Sequence, residues 1–64
     1  MIGYKQKRLI ELGKESGIIT LEVLRKMYPN KDYALSAMQG LEALGYFIEM
    51  MDPRFKVKYW KYIK

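Results

Sequence analysis

Apolar and polar residues follow two different periods along this 64-residue chain. Up to residue 44, apolar side chains recur every three to four residues, which is the period of an amphipathic helix. From Tyr46 onward they recur every second residue, which is the period of a strand with one face in water. The pattern therefore predicts helices first and a hairpin last.

The first helix is predicted over Tyr4–Ser16. Leu9 and Leu12 fall on one face of this helix, and charged residues fall on the opposite face. Gly17 follows directly, and glycine is the usual left-handed residue that ends a helix. We therefore expect the chain to turn at Gly17.

A short strand and a second helix are predicted next. Ile18 and Ile19 are typical of an extended segment that can pair with another strand. Thr20 is suited to cap a helix over Leu21–Tyr28, because its hydroxyl can accept a hydrogen bond from a free backbone N–H. Pro29 ends that helix, since it cannot continue the hydrogen-bond pattern.

The third helix is predicted from Lys31 or Asp32 to Leu44, with Gly45 as its stop signal. Its expected core face comprises Ala34, Ala37, Met38, Leu41 and Leu44. Gly40 inside this helix costs about 1 kcal/mol relative to alanine. Its presence predicts a close neighbour, which is either packed protein or a ligand.

The last third of the chain predicts a hairpin. The first strand runs from Tyr46 to Met51, and Asp52-Pro53-Arg54 forms the turn. The second strand is predicted to resume at Phe55, where Phe55, Val57 and Tyr59 alternate with Lys56 and Lys58. Met50 and Met51 are expected to lie mostly in the core of the hairpin.

The predicted order is helix, strand, helix, helix, strand, strand, in a single domain over residues 1–64. This is a mainly α fold with a small β-hairpin, of the α+β class. The stretch Ala34–Ile48 (ALSAMQGLEALGYFI) resembles the passage from recognition helix to wing in winged helix-turn-helix regulators. The leucine, glycine and aromatic residue at 44–46 are the most telling part of this resemblance.

The resemblance implies a three-helix winged helix-turn-helix domain that binds DNA, as small transcriptional regulators do. In that superfamily the third helix enters the major groove and the wing contacts the DNA beside it. Carried over to this chain, helix 31–44 and the basic wing 46–62 would dock on duplex DNA.

The net charge of +5 is concentrated at the two ends of the chain. Residues 1–14 carry four cations and one carboxylate, and residues 53–64 carry five cations and no carboxylate. The intervening residues carry three cations and six carboxylates. A basic end raises phosphate affinity without selecting a sequence, because each neutralised phosphate releases counterions.

Seven residues are predicted to contact DNA: Arg54, Lys56, Lys58, Gln39, Ser36, Lys31 and Tyr33. Arg54 leads, because a guanidinium at a hairpin tip can clamp a phosphate or enter a minor groove. Gln39 suits adenine by its bidentate geometry. These residues also have plainer interpretations. Arg54 can be a solubilising turn residue, and Lys56 and Lys58 can protect a strand edge against aggregation. Ser36 and Gln39 can be exposed polar residues without a partner. Asp32 on the same helix would repel phosphate.

Two alternative functions stay open from the sequence. One is a protein interaction module that uses an apolar surface around Phe47, Met51 and Tyr33. The other is single-stranded nucleic acid binding through Trp60 and neighbouring lysines, since exposed aromatic rings stack on bases. Packing of Trp60 beneath the first helix is the competing interpretation.

The composition argues against enzymes and metal proteins. The chain has no cysteine and no histidine, which removes disulfides, thiolate zinc ligands and the usual proton shuttle. We expect no catalytic activity, cofactor, metal or small-molecule substrate. No apolar run approaches about 20 residues, so we expect a cytoplasmic protein without a membrane partner. Duplex DNA is the expected partner, with a homodimer or another protein left open.

Overall fold

The computed structural model describes residues 2–64. Over these residues it has a mixed α+β fold, with three helices and a three-stranded antiparallel sheet. The elements are α1 Tyr4–Ser16, β1 Ile18–Thr20, α2 Leu21–Met27, α3 Lys31–Ala43, β2 Phe47–Met51 and β3 Lys58–Tyr62. The predicted order of helices and strands is confirmed.

The first two helices begin at the residues that the sequence indicated, and α1 also ends where it was predicted to end. Gly17 is left-handed at φ 84°, and its N–H donates to the Gly13 carbonyl at 2.7 Å, which ends α1. The Thr20 hydroxyl accepts a hydrogen bond from the Val23 N–H at 3.3 Å and caps α2. Helix α2 ends at Met27, one residue earlier than predicted.

The end of α3 differs from the prediction. The helix stops at Ala43, and Leu44 is 51% exposed instead of lying in the core. The Tyr46 N–H donates to the Leu41 carbonyl at 3.0 Å, while Gly45 is left-handed at φ 84°. This pair of features is the Schellman arrangement, in which the glycine lies two residues after the last residue of the helix. The chain therefore turns away before Leu44 can point inward.

The core lies between the helices and one face of the sheet. Its buried residues are Leu9, Ile10, Ile19, Leu24, Ala34, Met38, Leu41, Phe47 and Trp60. The strand order is β1-β3-β2, so β3 is central, and Trp60 pairs with Ile19 on one side and Glu49 on the other. Burial of Trp60 and Ile19 identifies this face as the inner face of the sheet.

The hairpin loop is held by Asp52. Its carboxylate accepts the backbone N–H of Arg54 at 2.8 Å and that of Phe55 at 3.4 Å. Its backbone N–H donates to the Val57 carbonyl at 3.0 Å, and its carbonyl accepts the Lys56 N–H at 2.8 Å. Asp52 thus uses side chain and backbone together to close the loop.

This closure makes the predicted start of the second strand wrong. Strand β3 begins at Lys58 and not at Phe55, because the chain from Pro53 to Lys56 is used for the turn. Phe55 is consequently 73% exposed, and Val57 is also exposed. Phe55 and Val57 are therefore loop residues and not strand residues, although both line one groove together with Tyr59.

The two methionines of β2 are also placed differently from the prediction. Met50 and Met51 are both exposed instead of lying mostly in the core. The helices cover only the Phe47 end of β2, since Phe47 is buried and the four residues after it are exposed. None of the helices within residues 2–64 is long and apolar enough to cross a bilayer.

Candidate nucleic-acid interface

The three predicted hairpin cations are all exposed to solvent. Arg54 and Lys56 lie in the loop, and Lys58 is the first residue of β3. The Lys58 Nζ is 3.0 Å from the Glu49 Oε1, so its charge is partly neutralised. Within residues 2–64, Arg54 and Lys56 take part in no ion pair. Of the three predicted cations, Arg54 and Lys56 therefore carry the charge that is most available to a ligand.

Lys56 has a strained backbone conformation. Its φ is 54°, and it is the one residue other than glycine with a positive φ among residues 2–64. The left-handed region costs a residue with a side chain about 1–2 kcal/mol. The Lys56 N–H bond to Asp52 fixes this conformation. A lysine is thus kept at a position where glycine is normally preferred.

The structure places two cations of α2 beside the hairpin, and the sequence did not assign them to this surface. Val57 in the loop borders a shallow groove with Leu21 and Glu22 at the start of α2 and with Arg25 and Lys26 one turn later. Both cations are exposed. They lie next to the loop because β1 pairs with β3 and α2 follows β1 directly.

We call these five exposed cations, Arg25, Lys26, Arg54, Lys56 and Lys58, the basic hairpin surface. The nearby carboxylates are partly engaged: Asp52 accepts two loop N–H groups and Glu49 pairs with Lys58. Glu22 lines the groove with Arg25 and Lys26. Cations therefore outnumber carboxylates on this surface, and the loop that carries Arg54 and Lys56 is fixed by hydrogen bonds.

The predicted contacts on α3 lie in a different place. Lys31, Tyr33, Ser36 and Gln39 are all exposed. Tyr33 and Ser36 line a groove with the start of α1 and with Tyr28. The structure thus divides the seven predicted contacts between the hairpin and the first two-thirds of α3.

The groove beside α3 contains a cation from α1. Lys5 lines this groove, and its Nζ is 5.0 Å from the centre of the Tyr28 ring. Burial raises the pKa of Tyr28 above its ordinary 10.0. Lys5 and Lys31 together place positive charge near the beginning of α3, where the sequence assigned only Lys31.

Gly40 has its close neighbour, and that neighbour is a side chain. Gln6 of α1 donates a hydrogen bond from Nε2 to the Ala37 carbonyl at 3.0 Å. A Cβ added at Gly40 would lie 3.1 Å from the same Nε2. The close neighbour predicted at Gly40 is therefore packed protein, the end of a flexible side chain of α1.

The aromatic platform proposed around Trp60 is not exposed. Trp60 is 2% exposed, and its Nε1 donates to the Glu42 Oε1 at 2.8 Å. The single-stranded alternative therefore lacks its stacking surface in this structure, and the packing interpretation describes Trp60. Phe47 is likewise only 2% exposed, which removes it from the apolar surface suggested for a protein partner. Met51 and Tyr33 of that surface are exposed.

Residues 2–64 contain no group of three or more side chains of the kinds that hold a metal ion. Comparison with protein-family models, curated proteins and solved structures gives no match for this chain. The basic hairpin surface and the groove beside α3 are therefore the features from which a function is inferred.

Proposed function

We propose that this chain is a small winged helix-turn-helix protein that binds duplex DNA and regulates transcription. The observation that carries this proposal is the basic hairpin surface, where Arg25 and Lys26 of α2 share a groove with Val57, the residue between Lys56 and Lys58 of the closed hairpin. Such a cluster suits the phosphate backbone, whose charge dominates the affinity of proteins for DNA.

The two regions have different chemistry and therefore different expected roles. The basic hairpin surface carries charge, so it supplies affinity that does not depend on sequence. Ser36 and Gln39 on α3 are neutral hydrogen-bonding groups, which suit base edges in the major groove. Lys5 and Lys31 near the start of α3 supply phosphate contacts on that side.

Asp32 does not contradict this arrangement. It lies in the first turn of α3, where a carboxylate is stabilised by the partial positive charge of the helix end. Its charge would repel a phosphate placed directly over it. The proposal therefore assigns the contacts with DNA phosphates to Lys31 and Lys5, and no phosphate lies directly over Asp32.

The test is a filter-binding titration of a radiolabelled duplex of mixed sequence at several salt concentrations. The wild type is compared with two double variants, Arg54→Ala/Lys56→Ala and Arg25→Ala/Lys26→Ala. A matched control, Lys7→Ala/Lys14→Ala, removes the same charge from exposed positions of α1. All four proteins differ only at exposed side chains.

The expected result is that the logarithm of the binding constant falls linearly with the logarithm of salt concentration. Each lost phosphate contact reduces the slope by about 0.9, so each hairpin double variant should lose up to about 1.8 and the control almost nothing. No binding at low salt would refute the proposal and favour a protein partner. Equal losses in all variants would show that only net charge matters and that the hairpin surface is not the site.

A further inference from the structure

Strand β2 has a free edge. The sheet order β1-β3-β2 gives it a single partner strand among residues 2–64. The Asp52 N–H donates to the Val57 carbonyl, and the Ile63 N–H donates to the Tyr46 carbonyl. Hydrogen-bonded pairs alternate in an antiparallel ladder. Even-numbered residues of β2 therefore bond to β3, and odd-numbered residues direct N–H and C=O to the free edge.

The side chains at this edge are mostly apolar and exposed. Glu49 pairs with buried Trp60, so odd-numbered residues of β2 share the inner face and Ile48 and Met50 lie on the outer face. Ile48 is 47% exposed, Met50 38% and Met51 54%. Free backbone groups beside exposed apolar side chains form a template for another strand.

The segment 47–51 (FIEMM) is complementary to itself when paired antiparallel about Glu49. Ile48 of one copy then lies opposite Met50 of the other on the outer face. Phe47 lies opposite Met51 on the inner face. Apolar pairs of this kind stabilise neighbouring strands, and only Glu49 meets a like residue.

The charge at the centre of this pairing is balanced. Two opposed glutamates would repel each other, but in each copy the Lys58 Nζ is 3.0 Å from the Glu49 Oε1. Two carboxylates and two ammonium groups then form one neutral cluster. An antiparallel arrangement also directs the two hairpin loops to opposite ends, which keeps Arg54 and Lys56 of the two copies apart.

We propose that β2 pairs with β2 of a second copy, antiparallel about Glu49, and joins the two sheets into one of six strands. A partner strand that is itself charged fits this edge less well, because the single charge of β2 is already neutralised by Lys58. The interface is small, so we expect a weak dimer with a dissociation constant on the order of 100 µM.

The first test is sedimentation equilibrium of the full chain from about 10 µM to about 1 mM, a range that spans the affinity of a small interface. Glu49→Pro is the decisive variant, because proline removes an N–H that points to the free edge and none that bonds to β3. We expect the wild type to dimerise and Glu49→Pro to stay monomeric with an unchanged circular dichroism spectrum. A wild type that stays monomeric, or a folded Glu49→Pro variant that dimerises equally well, would overturn the proposal.

The second test fixes the register by cross-linking, since the native chain contains no cysteine. Cysteines at position 49 of two copies would lie directly opposite each other, within the Cα separation of about 7 Å that a disulfide can span. Cysteines at position 48 would lie two residues out of register. Glu49→Cys should therefore form a disulfide dimer under mild oxidation much faster than Ile48→Cys or the remote control Glu15→Cys. Equal rates in all three variants would contradict this register. Neither test involves DNA, so failure of the dimer proposal can be distinguished from failure of the DNA proposal.

Discussion

Two glycines inside helices should respond to the same substitution with opposite signs. A Cβ at Gly13 would lie 2.6 Å from two ring carbons of Phe47 and 3.2 Å from Cδ1 of Tyr62. Those rings pack edge to face with centroids 5.4 Å apart, and Phe47 is buried. At Gly40 the nearest atom would be Nε2 of Gln6 at 3.1 Å, the far end of a flexible side chain.

The expected magnitudes follow from two opposing terms. Alanine gains about 1 kcal/mol over glycine in a helix interior. Forcing a methyl group into a packed core costs about 1–3 kcal/mol, and contacts as short as those at Gly13 belong at the upper end. Gly13→Ala should therefore destabilise the fold by about 1–2 kcal/mol net. Gly40→Ala should stabilise it by about 0.5 kcal/mol, because Gln6 can shift.

Thermal and urea unfolding followed by far-ultraviolet circular dichroism measure both effects. In a domain of this size 1 kcal/mol moves Tm by about 4–8 °C. We expect Gly13→Ala to lower Tm by about 5–15 °C and Gly40→Ala to raise it by about 2–4 °C. A Gly13→Ala protein as stable as the wild type would refute the reasoning, as would shifts of the same sign in both variants.

Three further predictions concern single positions. Lys56→Gly should raise the unfolding free energy by about 0.5–1 kcal/mol, because glycine has no strain in the left-handed conformation, whereas Lys56→Ala should not raise it. Equal urea midpoints for the two variants would contradict this. Glu42→Ala should lower the unfolding free energy by about 1–3 kcal/mol, because it leaves the buried indole N–H of Trp60 unpaired. Glu42→Gln keeps an acceptor for this N–H and should lower the unfolding free energy less; urea unfolding measures both variants. Because burial raises the pKa of Tyr28, its contribution to stability is fully present below pH 10.0 and is lost as the pH rises through the folded pKa. Tyr28→Phe should make that alkaline loss shallower in urea unfolding measured across pH.

Local signals in the sequence were sufficient for the helices and their order. Gly17, Thr20 and Pro29 act on residues within one turn of themselves, so their effects do not depend on the rest of the fold. The chain positions of α1 and α3 were predicted to within one residue at each end for this reason. Leu44 was misplaced because the Gly45 motif ends the helix one residue before the apolar pattern does.

The errors in the hairpin and its surroundings have a local cause at Phe55 and long-range causes elsewhere. Phe55 fits an alternating pattern, but the Asp52 carboxylate takes its N–H into a turn. Trp60 fits an exposed aromatic run equally well, and its burial follows from pairing of β1 with β3. Arg25 and Lys26 are separated from the loop by about thirty residues of sequence, so no local pattern joined them to it.

The burial of Trp60 also gives the protein an optical reporter of its own. Trp60 is the one tryptophan in the chain, and its partners come from three elements: it pairs with Ile19 of β1 and Glu49 of β2, and it donates a hydrogen bond to Glu42 of α3. Its intrinsic fluorescence should shift to longer wavelength only when these elements separate and water reaches the indole. Ligands that dock on exposed cations should leave its emission nearly unchanged. A single emission spectrum can thus distinguish a variant that has lost its fold from one that has lost only its binding surface.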